Sequence, residues 1–283
     1  MDQQIINLYD EYTHKPLSRQ DFLKRLAVLA GGTAAAMTLL PLLENNYASA
    51  AVTATDDLFT EYVTYPGVPN EMKAYVARPK AVKKYAAVVV IHENRGLTPH
   101  IEDVARRAAA AGYLAIAPNA LSALGKTPAN EDEARQWFSE LKAENNLQNF
   151  INAFASLKTR NDYNGKSGCV GFCWGGAMAN NLAVNVPELK AAVAFYGRQP
   201  PLEEVPKIKA AVQLHYAGQD ERVNAGMTAY EEALKKNNIV YEQYVYEGAQ
   251  HAFHNDTSAA RYNEAGAKLA WGRTLAFFAK YLK

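Results

Sequence analysis

The 283-residue chain is nearly neutral, with 30 Lys+Arg against 29 Asp+Glu, and its basic residues gather into no stripe, which argues against nucleic-acid binding. Hydrophobic residues make up 49% of the chain and aromatic residues 11%, enough for a packed core, and neither internal repeats nor low-complexity tracts occur.

Residues 1–50 differ in character from the rest. Arg19, Lys24 and Arg25 lead into an apolar run over 26–43, diluted by Gly31, Gly32 and Thr33, and Ala48-Ser49-Ala50 offers a cleavage site. Charge, apolar stretch and small-residue exit predict an export signal outside the fold, removed to leave 51–283 as a single domain in the periplasm. The stretch from Ser18 to Lys24 resembles a twin-arginine leader, with Gln20 where the second arginine belongs, so the Sec route is the alternative. An uncleaved membrane anchor is the competing reading, because the run approaches the roughly 20 residues a spanning helix needs. Cleavage would leave no stable membrane partner.

From Leu58 onward strand and helix signals alternate. A hairpin over 59–76, turned at Pro66-Gly67 and Pro69-Asn70, precedes strands predicted at 86–91, 114–117, 168–172, 191–196, 210–216 and 240–246. Helical spacing of apolar residues fills the gaps at 99–111, 131–141, 147–157, 175–185, 225–235 and 259–281. Phe150, Phe154 and Leu157 read as one buried helix stripe, and Trp271, Leu275 and Phe278 as the face that docks the last helix. The pattern is α/β: a mostly parallel central sheet with an antiparallel start and helices on both faces.

The loops after these strands carry the chemistry. The first buried run empties into His92-Glu93-Asn94-Arg95-Gly96, where a backbone NH, that of Asn94, is placed to stabilise an oxyanion. Gly171-Phe172-Cys173-Trp174-Gly175-Gly176 then puts a cysteine between glycines at a strand-to-helix turn, the pattern of a nucleophile elbow carrying sulfur, with the Trp174 NH as second oxyanion donor. Asp220 follows the strand at 210–216 and His251 the strand at 240–246, in the chain order nucleophile, acid, histidine. Taken singly, each has a plain alternative: a packing cysteine, a turn-forming aspartate, a solvated histidine, a surface Glu93 paired with Arg95. The agreement of three placements favours a triad. His251, His254 and Asp256 could also be read as metal ligands, but no recognised zinc spacing accompanies them, and neither metal nor cofactor is expected. Cys169 and Cys173 lie four positions apart on one strand, too far for a disulfide, so both are expected to be free.

His92-Glu93-Asn94-Arg95-Gly96-Leu97, Ala111-Gly112-Tyr113 leading to Pro118, the elbow around Cys173, Gly218-Gln219-Asp220 and Gln250-His251-Ala252-Phe253 together resemble the dienelactone hydrolase family, the carboxymethylenebutenolidase-like branch of the α/β hydrolases. The resemblance runs from about Leu58 to the C-terminus. It implies Cys173 as nucleophile, His251 as base, Asp220 as its orienter, and Glu93 holding the resting thiol and helping to form thiolate when substrate enters. The chain departs from the family where arginines should hold a substrate carboxylate: Pro118-Asn119-Ala120-Leu121-Ser122-Ala123 has none, and His254-Asn255 stands at the second place. An uncharged or differently charged acyl group is therefore expected rather than dienelactone itself.

The expected activity is hydrolysis of an ester, lactone or thioester of small-molecule size through an acyl-cysteine intermediate. The alternative from another class is a non-catalytic small-molecule-binding or thiol-redox-sensing protein on the same scaffold, in which Cys173 is oxidised rather than acylated.

Overall fold

The computed structural model describes residues 1–126, 128 and 130–283. Its elements, in chain order, begin with three helices, α1 (Gln3–His14), α2 (Arg19–Ala30) and α3 (Thr33–Leu43). The hairpin strands β1 (Leu58–Tyr65) and β2 (Met72–Pro79) come next, then β3 (Tyr85–Ile91), α4 (Pro99–Ala110), β4 (Leu114–Asn119), α5 (Glu131–Phe138) and α6 (Ala143–Leu157). The second half runs β5 (Tyr163–Phe172), α7 (Trp174–Asn185), β6 (Ala191–Phe195), β7 (Ala211–Ala217), α8 (Glu221–Asn224), α9 (Met227–Lys236), β8 (Tyr241–Tyr246) and α10 (Glu264–Leu282).

One sheet of eight strands, in the order β1-β2-β4-β3-β5-β6-β7-β8, forms the centre. β2 pairs antiparallel with both β1 and β4, and every other pairing is parallel. This is the expected α/β hydrolase fold with its antiparallel start. The central strands are buried on both faces, so β3 reads as an unbroken apolar run rather than an alternation. Along β5, Cys169 belongs to the core on one face, with α6, α7 and α9, while Val170 and Phe172 belong to the core on the other, with α4 and α10. Phe150, Phe154 and Leu157 are buried together as the stripe expected of α6.

Two helices differ from expectation. The helix expected at 225–235 is α9, and ahead of it stands an unexpected short turn, α8, which the Asp220 carboxylate caps by accepting from the Val223 N–H. The last helix begins at Glu264 rather than 259, where Asn263 accepts from the Gly266 N–H and sets the N-terminus. Its docking face is led by Phe277 and Phe278, with Trp271 and Leu275 only partly covered.

The N-terminal residues, when in place, pack on the body. Residues expected to lie outside the fold form α1–α3, which close a small core of their own around Tyr9, Tyr12, Phe22, Leu26 and Leu40 and lie against the strand ends. The apolar run breaks at Gly31 (φ 80°) and Gly32 (φ 148°), so α2 and α3 turn by 112° and no single helix is long and apolar enough to cross a membrane among the described residues.

Candidate active site

The site gathers at the carboxyl ends of β3, β5, β6, β7 and β8, where a parallel sheet presents its loops. Cys173 follows β5 directly at φ 56°, ψ −111°, an outlier for a non-glycine residue, and Trp174 opens α7 behind it. Only glycine fits the neighbouring places. A Cβ on Gly171 would lie 1.8 Å from the Gly175 carbonyl oxygen, and one on Gly175 would lie 2.3 Å from that of Ile91. The sharp turn thus lifts the sulfur out of the sheet, while the residue itself stays only 7% exposed. Tyr196 (φ 38°) and Ala252 (φ 67°), the latter next to His251, share the strained backbone, so three of the non-glycine outliers cluster here.

The three residues expected to form a triad converge. His251 donates from Nδ1 to Asp220 Oδ2 at 2.5 Å, which leaves its Nε2 without a hydrogen-bond partner, and the ring comes within 4.8 Å of the Cys173 sulfur. A second imidazole completes the surround: His14 at the end of α1 places Nε2 3.1 Å from Cys173 Sγ and donates its own Nδ1–H to the Asp10 carbonyl at 2.9 Å, with the Asp10 carboxylate 3.1 Å away. The two rings meet edge to face, 4.8 Å between centroids. The ligand-type atoms of His14, Cys173 and His251 all lie within 4.8 Å of one another. The sequence reading missed His14 because it falls in a segment whose composition reads as a leader; the one signal available was a histidine ending an amphipathic stretch.

Charge in this cluster is mutually supported. Burial opposes ionisation of the Cys173 thiol, yet the adjacent His14 and His251 outweigh it and bring the pKa down to about 6. Burial likewise disfavours a charged His251, but the thiolate, Asp220 and Asp10 raise it well above its ordinary value, and His14 is raised against burial by Cys173 and Asp10. Asp10, despite its burial, is held far below the usual carboxylate range by His251, His14 and Arg222, and Asp220, also against burial, is lowered mainly by His251. Cys169, deep in the sheet with no charge beside it, is pushed up by burial alone apart from one backbone contact, and both cysteines are free as expected.

Glu93 lies in the expected loop but does not touch the sulfur. Its carboxylate accepts from the Tyr196 hydroxyl at 3.3 Å and from the Asn255 amide at 2.8 Å. His92, buried beneath it, donates from Nδ1 to the Glu93 carbonyl, accepts the Ala120 N–H on Nε2 and stacks on Trp174, which fixes the loop against the elbow. Asn94 and Trp174 border the same cavity as Cys173, so the segments expected to supply oxyanion donors flank the sulfur on two sides. The side chain of Asn94 donates to the Thr13 carbonyl at 2.8 Å.

His254 and Asp256 do not join His251. His254 is buried against Phe172 and Phe195, and Asp256 pairs with His100 and Arg107, so the metal reading of that trio is not met by the structure. The cavity in front of Cys173 measures about 1170 Å³ and is walled by Phe138, Trp174 and Tyr196 from the body and by His14 to Arg19 from the N-terminal helices. Arg198 and Arg222 reach it, whereas Arg95 bonds to Asn94 and Arg261 to Ser258.

Residues 72–282 match the model of the dienelactone hydrolase family. A protein of Saccharolobus solfataricus named "putative carboxymethylenebutenolidase" is 31% identical over 257 residues, covering 78% of this chain and 98% of its own. An Escherichia coli protein named "putative hydrolase fragment YghX" is 51% identical over 107 residues, 36% of this chain and 91% of its own. Among solved structures, a "putative dienelactone hydrolase" from Klebsiella pneumoniae superposes with a TM-score of 0.72 at 31% identity, covering 79% of this chain and 99% of that one.

Proposed function

The chain belongs to the dienelactone hydrolase family, and from that premise we propose that it hydrolyses a small ester, lactone or thioester through a Cys173-His251-Asp220 triad and an acyl-cysteine intermediate. The observation that carries the reading is the sulfur itself, buried on a strained elbow beside a His251 whose other nitrogen is anchored by Asp220 at 2.5 Å. In the resting state the thiolate faces imidazolium. Sγ attacks the carbonyl carbon, and the N–H groups of Trp174 and Asn94 hold the oxygen as it becomes an anion. Collapse breaks the bond to the leaving oxygen or sulfur, which takes the proton of His251 Nε2. The neutral imidazole then takes a proton from water as hydroxide adds to the thioester. Expulsion of thiolate regenerates the starting ion pair and releases the acid.

Asp220 keeps His251 in the tautomer this sequence needs, and Glu93 acts at one remove by holding Tyr196 and Asn255 beside the site. The measurement is turnover of a small activated ester by the full chain, by Cys173→Ala and by His251→Ala. Loss of activity in both variants, with acylated Cys173 trapped by mass spectrometry, is expected. Equal turnover in all three proteins, or a Cys173 that accumulates only oxygen adducts, refutes the mechanism and favours a thiol sensor.

For location we propose export to the periplasm, on the leader features of residues 1–50. N-terminal sequencing of the protein recovered from cells tests it: a start at Ala51 is expected, and an intact Met1 overturns cleavage.

A further inference from the structure

We propose that α1–α3 form a cap over the active site and that its His14 is a second catalytic imidazole, holding Cys173 as the thiolate while His251 performs the proton transfers of turnover. The inference rests on Cys173 being the nucleophile and concerns the chain with residues 1–50 in place.

Three independent features point to it. First, His14 and His251 are set in the same way. Each has Nδ1 anchored by an acidic residue, Asp10 or Asp220, and each lies beside the one sulfur, which His14 Nε2 meets at 3.1 Å while His251 Nε2 stays unbonded. A buried thiolate is stable only with charge-assisted donors around it, and no lysine or arginine touches the sulfur among the described residues. The thiol proton passes from Sγ to His14 Nε2 while His251 holds a proton taken from solvent, so thiolate, Asp10 and Asp220 face His14, His251 and Arg222 and the buried charges balance three against three.

Second, the cap is held by directional bonds at the residues that flank His14. Arg135 donates to the carbonyls of Tyr12 at 2.7 Å and Leu17 at 3.3 Å, and Asn94 donates to that of Thr13. Tyr12 bonds Asp132 at 2.5 Å, and Arg222 of the body pairs with Asp10 at 3.3 Å. A segment lying on the body through apolar contact alone would not fix one imidazole to within a few tenths of an ångström of a hydrogen-bonding position; this one is pinned on both sides of it.

Third, the place that the resemblance gave to Glu93 is taken. Glu93 bonds Tyr196 and Asn255, and the group against the sulfur is His14, which lies outside the 72–282 stretch matched by the family model. The cap therefore supplies what the family pattern does not. Removal of residues 1–50 on export would take His14 with it and switch this contribution off.

The test is the pH dependence of Cys173 alkylation by iodoacetamide in the full chain and in His14→Gln, which keeps bulk and a donor but cannot carry charge. Wild type should react with a midpoint near 6. In His14→Gln the midpoint should rise by about one pH unit or more, lowering the rate at pH 6 about fivefold or more and converging with wild type above pH 9. His14→Gly should show the same loss and regain reactivity at pH 6 on addition of imidazole. Superimposable profiles, or a variant that reacts faster at every pH, would overturn the proposal and make His14 a mere cover. A readout that keeps the wild-type side chain at position 14 is NMR titration of His14, whose raised midpoint should fall in Cys173→Ser; no change there also overturns it. Alkylation needs no turnover, so a chain inactive on esters that still shows these shifts would sink the hydrolytic mechanism and leave His14 standing.

Discussion

Truncating Arg135 to alanine should free the cap without disturbing the body. Its guanidinium, on α5, donates to two carbonyls of the N-terminal segment and lies 4.0 Å over the Tyr12 ring. A hydrogen bond from a charged donor contributes about 1.5–3 kcal/mol, and a partly desolvated cation–π contact about 0.5–2 kcal/mol. Side chain 135 is about one-fifth exposed, so the lower half of each range applies, and the cap should lose on the order of 3 kcal/mol with the second, longer bond included. At about 1.4 kcal/mol per decade that is roughly a hundredfold more frequent opening. Hydrogen exchange reads it directly: the amides of α1 and α2 should exchange roughly a hundredfold faster in Arg135→Ala, while those of β3, β5 and β6 keep wild-type protection. The Cys173 alkylation midpoint should rise in parallel, because opening removes His14. If α1 amides exchange within about threefold of wild type, the cap is held by something other than these bonds, and the reasoning from Arg135 fails.

Two further outcomes follow from the geometry. Gly175→Ala places a Cβ 2.3 Å from the Ile91 carbonyl and 2.6 Å from that of His92, both backbone and unable to yield. It should destabilise the fold by about 3 kcal/mol or more in urea unfolding and abolish Cys173 alkylation selectivity over Cys169; a folded, fully reactive variant would contradict the elbow geometry. Asp256, lowered to about 2 against its burial by His100 and Arg107, has a depressed folded pKa, so its contribution is present above pH 4 and is lost as pH falls toward 2. Wild type should exceed Asp256→Asn by about 2 kcal/mol at pH 5 and lose that advantage by pH 2; a pH-independent difference would show that the pair with His100 and Arg107 does not hold the carboxylate.

Much of this site could be read from local pattern because strand ends and tight turns leave local marks. The buried run of β3 announces its loop by length and composition, and Gly171 and Gly175 announce an elbow because no side chain fits at either place. Asp220 and His251 follow their strands at loop distance, and the sheet brings strand ends together whatever the intervening helices do. Glu93 was legible as a site neighbour but not as a partner of Tyr196 and Asn255, since a side chain's direction depends on what packs around it. The short turn α8 ahead of the helix expected at 225–235 was hidden for a similar reason: it depends on the Asp220 cap and not on periodicity.

What the sequence by itself determined is the sheet, its antiparallel start and the three residues that follow its strands, because each is written in a short window where backbone sterics and burial leave few alternatives. What only the tertiary structure shows is how the first fifty residues pack when they are in place and that they set His14 on the sulfur. Composition describes an apolar run equally well whether it is a leader or a cap. The packing over the site is made by contacts between positions more than a hundred residues apart, such as Arg135 on the Tyr12 carbonyl and His14 on Cys173, and no local period carries them.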